Sequence, residues 1–221
     1  MNTQTHLLLA AALFCRPNAP KRNAAVIAGA LAPDAGVYGL YVWSKLAGVP
    51  EREVWRTIYF QEPMQTVQAV ANSVPLYAVM LLVGWFAFSM AGTVKPATAT
   101  ASGPSIADNG NGWWDFVASR STLALFALAA LAHLAGDLPV HADDAHRHFW
   151  PLTDWRFHSP ISYWNPAQGG NWFAFVEAAL GIAAAVLVFR RFRAWWVRAL
   201  TAIAIVAYVG VPLYFTLMLG G

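Results

Sequence analysis

The chain alternates long apolar runs with short breaks rich in proline, glycine and charge. The runs have the length of helices rather than of strands. Six are visible, at about 5–15, 23–47, 64–91, 113–138, 172–189 and 195–218. The first is too short to cross a bilayer alone, since a crossing takes about 20 apolar residues. It predicts a short, tilted or re-entrant helix. The second is long enough, but Pro33-Asp34 interrupts it and predicts a kink, because proline removes a backbone hydrogen bond. Residues 48–63 are polar and predict a short surface helix. The third run starts polar and turns strongly apolar at Asn72-Ser73-Val74-Pro75. Residues 93–112 are small and polar without periodicity, which predicts a flexible loop. Trp113-Trp114 opens the fourth run as an interface anchor, and 139–171 forms a His-, Asp- and Trp-rich extramembrane loop or lid. There is no internal repeat. The pattern predicts an all-α fold: a single membrane domain over 1–221, built as a polytopic integral membrane helix bundle of five or six hydrophobic segments.

Composition sharpens that picture. Hydrophobic residues make up 58% of the chain and charged residues 11%, against about 25% charged in soluble domains. Eleven tryptophans suit the membrane–water interface. The partner this implies is the lipid bilayer. A net charge of only +3 implies no nucleic acid. The single cysteine, Cys15, excludes an internal disulfide. LLLAAALFC at 7–15 has the length of a signal-peptide core, but no positive charge precedes it, so it is expected to stay in the mature protein. The breaks after runs one, three and five carry Arg16/Lys21/Arg22, Lys95 and Arg190/Arg191/Arg193. Positive loops face the cytoplasm. This predicts a multi-pass protein of the bacterial inner (plasma) membrane with its His-rich loop in the periplasm.

Five of the six histidines lie between 121 and 166, and the sixth is His6. His133 and Asp137, four apart in an apolar run, share one helix face. With the topology above, His6, Asp34, Asn72, His133, Asp137 and Glu177 fall at similar depth. Ionisable groups inside a membrane are costly and usually pair, so one shared polar cluster is expected. Its chemistry suits a divalent ion such as Zn, Mn or Fe. His6, His133 and Asp137 are the candidate ligands, Asp34 a ligand or orienting group, and Glu177 a candidate general base. Plainer readings compete. His133 can simply bond a neighbouring helix, Asp34 can serve the backbone opened by Pro33, and Glu177 can pair with Arg147 or Arg156. The run DDAHRH reads as a solvated charge run. FWPLTDWRFHSPISYW reads as an aromatic lid at headgroup level.

THLLLAAALF, AAVIAGALAPDAG, LAHLAGDLPVH and FWPLTDWRFHSP together resemble the YdjM-like inner-membrane family of membrane-bound metal-dependent hydrolases. The resemblance covers residues 5 to about 165. It implies His6, Asp34, His133 and Asp137 as the equivalent polar positions, and hydrolysis as the activity. Where that family carries Thr-His-Ser, this chain has Ala71-Asn72-Ser73, an amide in place of an imidazole. That departure keeps a second function open: a non-catalytic accessory subunit of a larger membrane complex, packing through Trp-rich helix faces against membrane-protein partners or pigments.

Overall fold

The computed structural model describes residues 1–92, 121–163 and 165–219. The expected flexible loop at 93–112 and the Trp113-Trp114 anchor lie outside the described residues. Every regular element among the described residues is helical: α1 Thr3–Phe14, α2 Pro20–Leu31, α3 Ala35–Ala47, α4 Glu51–Arg56, α5 Glu62–Ala71, α6 Val74–Gly92, α7 Thr122–Asp137, α8 Gly170–Arg191 and α9 Trp195–Leu219, with short 3-10 turns between some of them.

The polar breaks become the turns. After α1 the chain reverses through Asn18 in the left-handed region (φ 61°), and Pro20 opens α2, where its missing N–H costs nothing. Asn23 clamps this turn, accepting from Arg16 N–H and donating to Arg16 O. The carbonyls that α1 leaves unpaired at its end are taken by cations. Arg22 Nε donates to Phe14 O (2.8 Å), and Arg191 Nη1 to Ala12 O (2.6 Å) and Cys15 O (3.0 Å). Two of the arginines read as topology signals therefore also join α1 to α2 and α8.

Pro33-Asp34 breaks the second run outright: α2 and α3 meet at 71°. The break also frees a carbonyl, Pro33 O, which accepts from Asn72 Nδ2 (3.3 Å). The Asn72-Ser73 junction divides α5 from α6.

At the centre, α7 packs against α1, α2 and α6. It does so through small residues, Ala124, Ala127, Ala129 and Ala130, all fully buried. Small side chains let helix backbones approach closely in a membrane bundle. Gly29 of α2 shows how close. A Cβ built there would sit 2.1 Å from Phe126 O.

The surface is inverted relative to a water-soluble protein. Phe86, Phe175 and Val206 are 64%, 77% and 69% exposed, while His133 and Glu177 are each 2% exposed. Polar groups inside and large apolar groups outside are the arrangement lipid demands. Among the described residues, three helical stretches are long and apolar enough to cross a membrane: Glu62–Phe86, Thr122–Val140 and Gly170–Arg191. The bent α2–α3 pair makes a fourth if it counts as one span. Helix α1, about 18 Å long at 1.5 Å per residue, is shorter than the roughly 30 Å hydrocarbon core.

Candidate metal centre

Helices α1, α2 and α7 run so that the start of α1, the end of α2 and the end of α7 share one end of the bundle. His6, Asp34, His133 and Asp137 therefore meet there. The imidazoles of His6 and His133 stack face to face, 3.6 Å between centroids and 8° from parallel. Both reach the same carboxylate. His6 Nε2 lies 2.8 Å from Asp137 Oδ1, and His133 Nε2 lies 3.0 Å from Oδ2. Asp34 Oδ1 stands 3.6 Å from His133 Nε2, and its other oxygen accepts from the Thr3 hydroxyl. The α-amino group of Met1 also donates to Asp137 Oδ1 (2.5 Å).

The close approach of α1 to α7 depends on Gly136, where a Cβ would come within 3.1 Å of the His6 ring. His133 is fixed from behind. Its Nδ1 lies 2.7 Å from Ala30 O. A carbonyl can only accept, so Nδ1 carries the proton. In the neutral ring Nε2 then presents a lone pair, and it faces the lone pairs of Asp137 Oδ2. Nε2 makes no hydrogen bond of good geometry there despite the 3.0 Å separation. Two lone-pair donors held this close and away from water favour a cation beside them; the Met1 ammonium at Asp137 Oδ1 is one, and a metal ion is another that this group could hold. A backbone carbonyl behind the ring is also the arrangement metal-binding histidines use to set tautomer and orientation.

His6, His133 and Asp137 are buried, and their donor atoms lie within 4.8 Å of one another. This group can hold a metal ion. Two of the donor pairs are 2.8 and 3.0 Å apart, each through a different oxygen of Asp137. Three donors from the chain would leave a bound ion a coordination position for water.

Glu177 lies outside this three-residue group. Its carboxylate accepts from Asn2 N–H (2.5 Å) and from the Thr5 hydroxyl (2.7 Å), and Thr5 also meets Tyr208 of α9. The arginines considered as its partners go elsewhere: Arg147 to Glu62 and Asp154, and Arg156 to Gln65 Oε1 and Ala145 O. Glu177 thus anchors the first turn of α1, next to His6. Asn72 is buried against Pro33 O and Gln68.

The residue the sequence reading passed over is His141. Its Nε2 lies 3.7 Å from Asp137 Oδ1 and its Nδ1 2.9 Å from Asp144 Oδ2. The signal was present: His133, Asp137 and His141 continue one four-residue spacing. The run DDAHRH is also not a solvated strip, for His146, Arg147 and His148 are buried. Backbone bonds strap the loop down, Val74 N–H donating to His148 O (2.8 Å), Ser159 N–H to His141 O (3.1 Å) and Tyr163 N–H to Val140 O (2.8 Å). Of its aromatic residues, Phe149, Trp155 and Phe157 remain outward.

These histidines titrate in opposite directions. Burial alone would depress His141, but bonds to Asp137 and Asp144 override it and raise it to about 9. Burial, then the charges of His141 and His148, hold His146 down to about 3. Burial also lowers His148. Below the unfolded value of 6.5 an opened loop takes up protons that the closed loop refuses, so stability falls with acid. His141 contributes in full below 6.5, and its contribution is lost as pH rises through about 9. The strap is therefore expected to be tightest near pH 6.5. Hydrogen exchange of amides 141–163, corrected for intrinsic rate, should show protection falling on both sides; a flat profile from pH 4 to 9 would refute this balance.

Comparison with known proteins found no matching family, no curated relative and no similar solved structure.

Proposed function

We propose that this protein is a membrane-embedded metal-dependent hydrolase, with one divalent ion, Zn, Mn or Fe, held by His6, His133 and Asp137. The observation that carries the reading is the buried Nε2 of His133, committed to the metal-binding tautomer by Ala30 O and aimed at Asp137. When bound, such an ion supplies Lewis-acid activation of water for attack on an ester or phosphoester. Asp34, beside the ligands and partly exposed, is the carboxylate placed to orient or accept a proton. Glu177, expected as the base, serves this reading by holding Thr5 and so seating His6. A lipid or lipid-linked substrate suits a site at one end of a bundle with apolar outer faces. The resemblance to the YdjM-like family supports the same chemistry. In this reading α1 and α9 complete a bundle of five or six segments in a bacterial inner membrane. The end rich in arginine lies in the cytoplasm and the histidine loop in the periplasm.

A second reading, the accessory subunit, is favoured by the exposed tryptophans Trp43, Trp172, Trp195 and Trp196 and by the amide at Asn72. Metal analysis of the protein purified from membranes, together with hydrolysis of fluorogenic phospholipids in bilayers, separates the two. The enzyme is expected to carry about one divalent ion per chain and to lose turnover with a chelator. A metal-free protein that co-purifies with fixed partners would establish the subunit instead.

A further inference from the structure

A crevice of about 950 Å³ opens at the end of the bundle opposite the histidines. It lies between one face of α2, from Pro20 to Leu31, and the corner joining α8 to α9. The residues lining it are mostly apolar, among them Ile27, Leu31, Trp196 and Val197, and Arg191 and Arg193 line it too. Its size falls within the roughly 300–1,000 Å³ of ligand sites.

The electrostatics of this end are one-sided. Residues 1–33 and 178–221 carry seven of the chain's 14 Lys and Arg and no Asp or Glu. Three of those cations flank the turn between α1 and α2, and four the corner between α8 and α9. Arg191 gives part of its guanidinium to the end of α1. Arg193 is exposed and makes no hydrogen bond or ion pair among the described residues. Exposed Trp195 and Trp196 place this corner at headgroup level in a bilayer. From Asn23 to Leu31, α2 offers a wall about 12 Å long leading from that level toward the membrane interior. A cationic mouth over an apolar wall is complementary to an anionic amphiphile.

We propose that this crevice binds one anionic phospholipid, its phosphate against Arg191 and Arg193 and an acyl chain along Ile27, Leu31 and Val197. The site rests on the membrane reading of the fold and is independent of any metal. A juxtamembrane cation attracts anionic lipid by about fivefold in affinity, and the apolar wall converts general attraction into one retained molecule.

Native mass spectrometry from nanodiscs of mixed phosphatidylglycerol and phosphatidylcholine tests this. One phosphatidylglycerol per chain is expected to survive detergent exchange. Arg193→Gln should reduce the retained fraction about fivefold. Ala28→Trp, which fills the crevice from an exposed position on α2 and leaves every charge in place, should abolish retention. Equal retention of phosphatidylcholine would overturn the site. So would lipid binding indifferent to Ala28→Trp, which is attraction to the basic end alone, or a dimer that forms without lipid and is broken by that substitution.

Discussion

Replacing His133 with alanine is expected to reduce bound divalent metal from about one ion per chain to less than about a tenth. The reason is geometric. His133 supplies one of three donors, and the remaining pair, His6 and Asp137, is too few to hold an ion against water. Even changes behind a ligand typically cost 10–100-fold in affinity, so losing the ligand itself should cost more. The substitution also removes the bond to Ala30 O, worth about 1 kcal/mol, and leaves a cavity. Asp137→Asn separates these effects. It leaves no cavity and keeps the bond to Ala30 O, but it removes the charge that Met1 N, His6 and His141 also meet. It should therefore lose metal with a stability loss that is electrostatic rather than from packing. Metal analysis of the three purified proteins checks the result. Metal retained by both variants would place the ion elsewhere. If wild type itself carries none, the hydrolase reading fails.

Gly29→Ala should destabilise the bundle by about 3 kcal/mol or more, at the upper end of overpacking effects. The added Cβ would lie 2.1 Å from Phe126 O, and a helix backbone cannot yield as a flexible side chain can. Helices α2 and α7 must separate. Ala30, the next residue, then carries its carbonyl away from His133 Nδ1, so metal affinity should fall with stability. Gly39→Ala is the control, for a Cβ there meets nothing within 4 Å and should stabilise α3 by up to about 1 kcal/mol. Thermal unfolding in one detergent compares them directly. Equal midpoints for the two variants would show that the crossing at Gly29 is looser than described.

The helices were legible because each apolar run is bounded by residues with their own backbone chemistry. Pro17 and Pro20 bracket the first turn, and Pro33 marks the break at 71°. By length and apolarity, three of the described helical stretches count as crossings, four with the bent α2–α3 pair. Five or six runs are apolar, but α1 is too short and α2 and α3 are too bent to be counted by composition. The meeting of His6 with His133 was legible because a polar group in an apolar run must find another. The loop was not. Its burial depends on carbonyls and amides, such as Val74 N–H to His148 O, and a backbone bond leaves no mark in residue type. The arginine alternative for Glu177 fails for a related reason: hydroxyls and amide N–H groups, here from Thr5 and Asn2, satisfy a carboxylate without any complementary charge to reveal them.

The break at Pro33-Asp34 has one more consequence. The side chains of His6, His133 and Asp137 are 1%, 0% and 5% exposed, whereas that of Asp34 is 23% exposed. Directly beyond it, Ala35, Gly36 and Gly39 begin an apolar groove between α3 and α5. On the proposed reading, a lipid guest would reach the stacked rings sideways through this groove, past the half-open carboxylate of Asp34.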